Sequence, residues 1–164
     1  MPRFDVQQLA IAYELEQRLY EFVAEMDVNN YANIAEFYTE DAVFIAGPNR
    51  VTPRSAIVQF YETRNENVKK YQKGGARTGR HTFVNVRVEI ADENNATLRF
   101  VNVSYGAEGP TPASGLGAPS MVADCVMTCR READDVWRFS EFAPSAALIG
   151  EDDFMKLMLS LKDK

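Results

Sequence analysis

Apolar residues recur at every third or fourth position in the first part of the chain and at every second position in most of the rest. From Phe4 to Met26, the residues Leu9, Ala12, Leu15, Leu19, Phe22 and Met26 form one stripe, and Glu14, Gln17, Arg18, Glu21 and Glu25 fill the polar side. This pattern predicts a helix packed on a sheet, with Asp5 as its N-cap. A second edge carries Tyr13, Tyr20, Val23, Ala24 and Asp27; seven residues is nearly two turns, so Asp27 falls beside the buried stripe and in line with Tyr20. A short helix is expected from Tyr31 to Tyr38, capped by Asn29 or Asn30, with Ile34, Phe37 and Tyr38 buried. Thr39 to Asp41 should turn the chain into a strand, Ala42 to Ala46, and Gly47, Pro48 and Asn49 make a turn. Pro53 suits the first turn of a third helix, which runs to about Gln72 with Ile57, Phe60, Tyr61 and Val68 inside and stops at Gly74 and Gly75.

The period then changes to two. Segments near Arg80–Ala91, Ala96–Tyr105, Ser120–Arg131 and Val136–Ala147 read as long antiparallel strands, with 92–95 and 132–135 as hairpin turns. In the first of these, Val84, Val86, Val88 and Ile90 share one face, and His81, Phe83, Asn85, Arg87 and Glu89 share the other. In the third, Met121, Ala123, Cys125, Met127 and Cys129 share a face opposite Val122 and Val126. Helices followed by a meander of strands predict an α+β domain with helices on one face of the sheet. Phe83, Val122 and Val126 on the far face then point to a second subunit covering it, an inference that a face-swapping bulge would weaken. Residues 106–120, rich in glycine and proline, read as a mobile loop over a pocket, and 152–162 as a helix docked through Phe154, Leu157, Met158 and Leu161.

Composition narrows the function classes. A chain of 164 residues, 46% hydrophobic and 26% charged, is expected to form a single domain, 1–164, around a substantial core. A net charge of -6 argues against nucleic acid or an anionic membrane surface as partner; the basic cluster Lys69, Lys70 and Lys73 reads as a solvated helix face. No run approaches the ~20 apolar residues of a membrane span and no signal-like segment opens the chain, so a soluble cytoplasmic protein is expected. Cys125 and Cys129 lie four apart on one strand, roughly 13 Å, too far to pair with each other. With one histidine and no paired-ligand spacing, neither a metal nor a cofactor is expected.

The candidate chemistry rests on Asp27 and His81, the only histidine. A carboxylate bonded to one imidazole nitrogen fixes the tautomer and stabilises the imidazolium, which suits proton abstraction without a cofactor. The plainer alternative is that Asp27 caps its helix and His81 is a satisfied residue at a strand start.

The phrases AspValAsnAsnTyr (27–31), AlaGluPheTyrThrGluAspAlaValPhe (35–44) and GlyArgHisThrPheValAsnVal (79–86), with the order of elements, resemble the SnoaL-like branch of the NTF2-like superfamily. That branch includes scytalone dehydratase, bile acid 7α-dehydratase and hexachlorocyclohexane dehydrochlorinase, and the resemblance extends from about Val6 to Ile149. It implies a cone: a strongly curved antiparallel sheet wrapped around the N-terminal helices as an α+β barrel, with a deep apolar pocket inside and homotrimeric assembly, a dimer being the other possibility. It also implies that Asp27 orients His81 as the base of an elimination. Three positions depart from the family pattern: Phe22 replaces a tyrosine, Asn30 an aspartate and Phe142 an arginine. The residues expected to line a substrate site are Tyr20, Phe22, Tyr31, Phe44, Tyr61, Asn85, Met127 and Phe142. The expected activity is a cofactor-independent, dehydratase-type lyase acting on a small hydrophobic, aromatic or polycyclic hydroxylated compound. A retro-aldol lyase, isomerase or cyclase on aryl catabolites would use the same dyad, and a ligand-binding module or the small subunit of an aromatic-ring dioxygenase would use the same fold without it.

Overall fold

The computed structural model describes residues 4–160. Helix α1 spans Val6–Asp27 and begins with a capping box, in which the Asp5 carboxylate accepts from the Gln8 amide and the Gln8 side chain accepts from the Asp5 amide. Its buried stripe is Ile11, Leu15, Leu19, Phe22 and Met26, joined by Glu25; Leu9 is exposed and Ile11 takes its place. The next turn is not the expected helix over 31–38. Asn30 and Tyr31 adopt left-handed backbone conformations, and only a 3-10 turn, Ile34–Phe37, precedes the strand. Strand β1, Tyr38–Ala46, therefore starts four residues early, and a hairpin adds an unforeseen short strand, β2, Asn49–Val51. Helix α2, Arg54–Tyr71, follows Pro53 and buries Ile57, Tyr61 and Val68.

The four long strands are β3, Arg77–Ile90, β4, Asn95–Glu108, β5, Met121–Arg131, and β6, Trp137–Ile149, followed by helix α3, Asp153–Ser160. Leu161, expected on α3, lies outside the described residues. The sheet order is β2-β1-β6-β5-β4-β3. The meander β3 to β6 is antiparallel, but β1 joins β6 in parallel, so the sheet is mixed, and it is curved and not closed into a barrel. This is an α+β cone with the helices against the concave face.

Face assignments hold in β5, where Ala123, Cys125, Met127 and Cys129 are buried and both thiols are free. They change within β3. The register with β4 shifts between Val84 and Arg87, where Asn85 takes φ 57°. Before this bulge His81 and Phe83 point inward; beyond it Val86, Val88 and Ile90 do, because one extra residue reverses the alternation. Phe83 thus packs on Phe100, centroids 4.5 Å apart, and does not belong to the outer face.

Candidate active site

Asp27 is the last residue of α1 and His81 the fifth of β3. The Asp27 carboxylate holds His81 twice: Oδ2 accepts from the His81 backbone N–H at 2.8 Å, and Oδ1 lies 2.6 Å from Nδ1. An ionised carboxylate only accepts, so the imidazole proton is on Nδ1 and the nitrogen left for a ligand is Nε2. The Asp27 side chain is 6% exposed and that of His81 20%, an arrangement that shields the carboxylate and leaves the ring reachable.

His81 lines an apolar cavity of about 900 Å³ of non-atom space, part of it open to solvent. Tyr31, Phe44, Phe60 and Tyr61 form one wall: Tyr31 stacks on Tyr61 at 4.6 Å, and Tyr61 on Phe44 at 5.7 Å. Tyr31 reaches this place through the strained turn after α1, and the anchor of that turn is Glu25. The Glu25 carboxylate accepts from the Asn29 side chain and the Asn33 amide, while its backbone carbonyl accepts from the Tyr31 amide. Glu25 reads as a polar-face residue in the sequence and is in fact buried. Burial pushes the Tyr31 and Tyr61 phenols above their usual range, against the opposing pull of Arg64 on Tyr31 and of Tyr38 and Arg64 on Tyr61, so both keep their protons at neutral pH and can donate.

The cover is α3, which contributes Phe154, Met155, Met158 and Leu159. It is fastened by Asp152, which accepts from Arg77, from the Ser120 hydroxyl and from the Met155 amide. The Arg77 side chain crosses Gly106 so closely that a Cβ there would lie 2.0 Å from its guanidinium, so a side chain at Gly106 would displace Arg77 from its place. Residues 106–120 do not roof the apolar cavity; Thr111 reaches only an adjoining polar one, which is also lined by Asp27, Asn30, Tyr31, Arg64 and Arg77.

Of the residues expected to line the site, Tyr31, Phe44 and Tyr61 do so together with His81. Tyr20 does not reach it: it is 45% exposed and its hydroxyl donates to Glu16. Phe22 and Met127 are fully buried in the core, and Phe142 stands behind Phe44, stacked at 5.5 Å. Asn85 is exposed, because the bulge turns it to the outer face. Sequence reasoning missed Arg64 and Arg77 and gave α3 no part in the site. For Arg64 a signal existed: with Ile57, Tyr61 and Val68 it completes a four-three-four spacing on the inner face of α2. Among the described residues, no group of three or more His, Cys, Asp and Glu side chains is gathered that could hold a metal ion. Nor is any described helix long and apolar enough to cross a membrane.

A family model described as a SnoaL-like domain matches residues 7–143. Among curated proteins none matches the sequence. Solved structures share the fold. A scytalone dehydratase-like protein from Novosphingobium aromaticivorans superposes with a TM-score of 0.71 at 16% identity, over 89% of this chain and 90% of its own. A hexachlorocyclohexane dehydrochlorinase, LinA-type3 from Novosphingobium barchaimii, gives 0.67 at 16% identity, over 90% and 93%. ActVI-ORFA from Streptomyces coelicolor gives 0.67 at 16% identity, over 84% and 98%. At such identities the likeness is one of fold.

Proposed function

We propose, from the premise that this chain belongs to the SnoaL-like domain family, that it is a cofactor-independent lyase that eliminates water from a small hydrophobic, hydroxylated aromatic or polycyclic compound. The observation that carries this reading is the double hold of Asp27 on His81 at the wall of an apolar cavity. In the reaction, Nε2 of His81 removes a proton from the carbon next to a carbonyl. The C–H electrons form the new double bond as the bond to the β-hydroxyl breaks. The imidazolium, balanced by Asp27, returns the proton to the departing oxygen, and water leaves. Tyr31 or Tyr61 donates a hydrogen bond to the carbonyl oxygen as it gains negative charge, a role open to them because both remain protonated.

The test uses 3-hydroxy-1-tetralone, whose loss of water yields 1-naphthol and can be followed by fluorescence. Wild-type protein should accelerate the loss, and His81→Ala should lower the rate by roughly 10²–10⁴-fold, the usual contribution of a positioned general base. If His81→Ala turned the compound over as fast as wild type, the dyad mechanism would be wrong. No acceleration by wild type, across this ketone and its monocyclic β-hydroxyketone analogues, would favour a binding module.

A further inference from the structure

The cavity also carries a cation that the elimination does not use. Arg64 leaves α2 three residues after Tyr61, and its guanidinium lies 4.8 Å from the centre of the Tyr31 ring and 6.0 Å from that of Phe154. Its one hydrogen bond among the described residues goes to the neutral Asn65 side chain, at 2.9 Å. No carboxylate of the described residues pairs with it. Arg77, at the same wall, differs in each respect: it is neutralised by Asp152, held by Gln72 and almost completely buried, which makes it an anchor for α3. A half-buried guanidinium facing aromatic rings has lost part of its hydration, and an aromatic face returns only part of the loss.

The surroundings add to the positive potential. Arg64 and Arg77 line both the apolar cavity and the adjoining polar one, and Lys69 and Arg80 line the polar one as well. Among the described residues, Arg80 donates only to backbone carbonyls, those of Asp27 and Gly79. Asp27, the carboxylate on that side, is occupied by His81. With Arg77 neutralised by Asp152, three cations, Arg64, Lys69 and Arg80, surround one carboxylate and, in a chain of net charge -6, make a local field opposite in sign to that of the whole molecule.

We propose that Arg64 reads a carboxylate on the substrate, so that the natural ligand is an aromatic carboxylic acid with its ring in the apolar cavity and its acid group at the wall shared with the polar one. The planar guanidinium fits a carboxylate through two parallel hydrogen bonds, whereas Arg77 is already paired with Asp152. This rests on reading the apolar cavity as the substrate site, and it is independent of which bond is then broken. If Arg64 served only as a cation–π clip on Tyr31, removing it would weaken acid and amide ligands alike.

The experiment is isothermal titration of wild-type protein, Arg64→Gln and Arg64→Lys with 2-naphthoate and with neutral 2-naphthamide, each variant first checked for folding by circular dichroism. Wild type should bind the acid at least tenfold more tightly than the amide. Arg64→Gln should remove that preference and leave the amide affinity within twofold, and Arg64→Lys, a point charge without the fork, should keep a reduced preference. Equal binding of the two probes by wild type would overturn the proposal. So would an acid preference that survives in Arg64→Gln, or no binding of either probe at millimolar concentration. If Arg64→Gln does not fold, an acid preference in Arg64→Lys equal to that of wild type would count against the proposal, and a smaller one for it. Repeating the titration with His81→Ala separates this from the catalytic reading. A retained acid preference supports the role of Arg64 even where turnover experiments reject the dyad.

Discussion

Two groups of aromatic rings meet at Phe142 and differ in what covers them. On one side Phe22 is enclosed by Phe37, Tyr38, Phe139 and Phe142, with ring centres 5.2–6.0 Å away and mostly edge to face. On the other, Tyr31, Phe44, Phe60 and Tyr61 stand around open space. The residue types are nearly the same, so composition does not separate a core from a pocket. The cover does. Phe22, on α1, is closed in by the 3-10 turn, β1 and β6, whose rings fit around it. The second group is closed by the eight-residue α3, held by Arg77 and Ser120 on Asp152, and by a strained turn held on Glu25.

The largest expected effect breaks the closed group. Phe22→Ala should lower stability by about 3–5 kcal/mol, the usual cost of emptying a packed aromatic site, whereas Phe60→Ala at the half-exposed pocket wall should cost roughly 1–2 kcal/mol. Urea denaturation of both variants checks this, and equal losses would mean that the cavity wall is packed as tightly as the core.

A smaller effect tests the polar end of the open group. Asp27→Asn keeps the shape, but its amide nitrogen can only donate, so the bond to Nδ1 must reverse or break, at a cost of about 1–3 kcal/mol of stability. The ring should then leave its single tautomer, visible as a changed pattern of imidazole nitrogen shifts by NMR. An unchanged pattern would mean that Asp27 does not set the tautomer.

The mildest perturbation is acid. Burial raises the Asp152 carboxyl, but hydrogen bonds from Ser120 and the Met155 amide and the Arg77 charge outweigh it and hold it below its usual range. A depressed carboxyl contributes its full stabilisation above the unfolded value, about 3.9, and loses it as pH falls through the folded one. Below about pH 4, therefore, the Met155 and Met158 methyl resonances should shift as α3 loosens, while those of Met127 in the core stay in place. Simultaneous movement of all three would mean global unfolding and no separate cover.

Much of the architecture was legible in the chain. The span of α1, the antiparallel meander and both hairpin turns follow from hydrophobic period and turn residues, which act locally. The dyad was legible in part: helical spacing put Asp27 beside the buried stripe, and the likeness of Gly79–Val86 to known relatives pointed to His81. The rest was not. Asn85 looks like any alternating residue until β3 is paired with β4, because a bulge is a property of two strands. Tyr20 shares a helix edge with Asp27, yet its ring is turned to solvent, where the hydroxyl donates to Glu16. Glu25 shares the chemistry of its exposed neighbours, and only the turn folding back over α1 makes it an internal acceptor.

By itself, the sequence determined most of the segments that become helix and strand, and that a carboxylate ends the first helix while the only histidine lies near the start of the first long strand. Their backbones take those forms through interactions a few residues long. Tertiary structure alone decided which rings are sealed and which line a cavity, which arginine is neutralised and which is not, and that α3 is the roof. Each of these depends on residues far apart in the chain: Arg77 with Asp152, Phe44 with Phe142, Ser120 with Asp152. A pocket is the space that such contacts leave unfilled, and no local pattern encodes it.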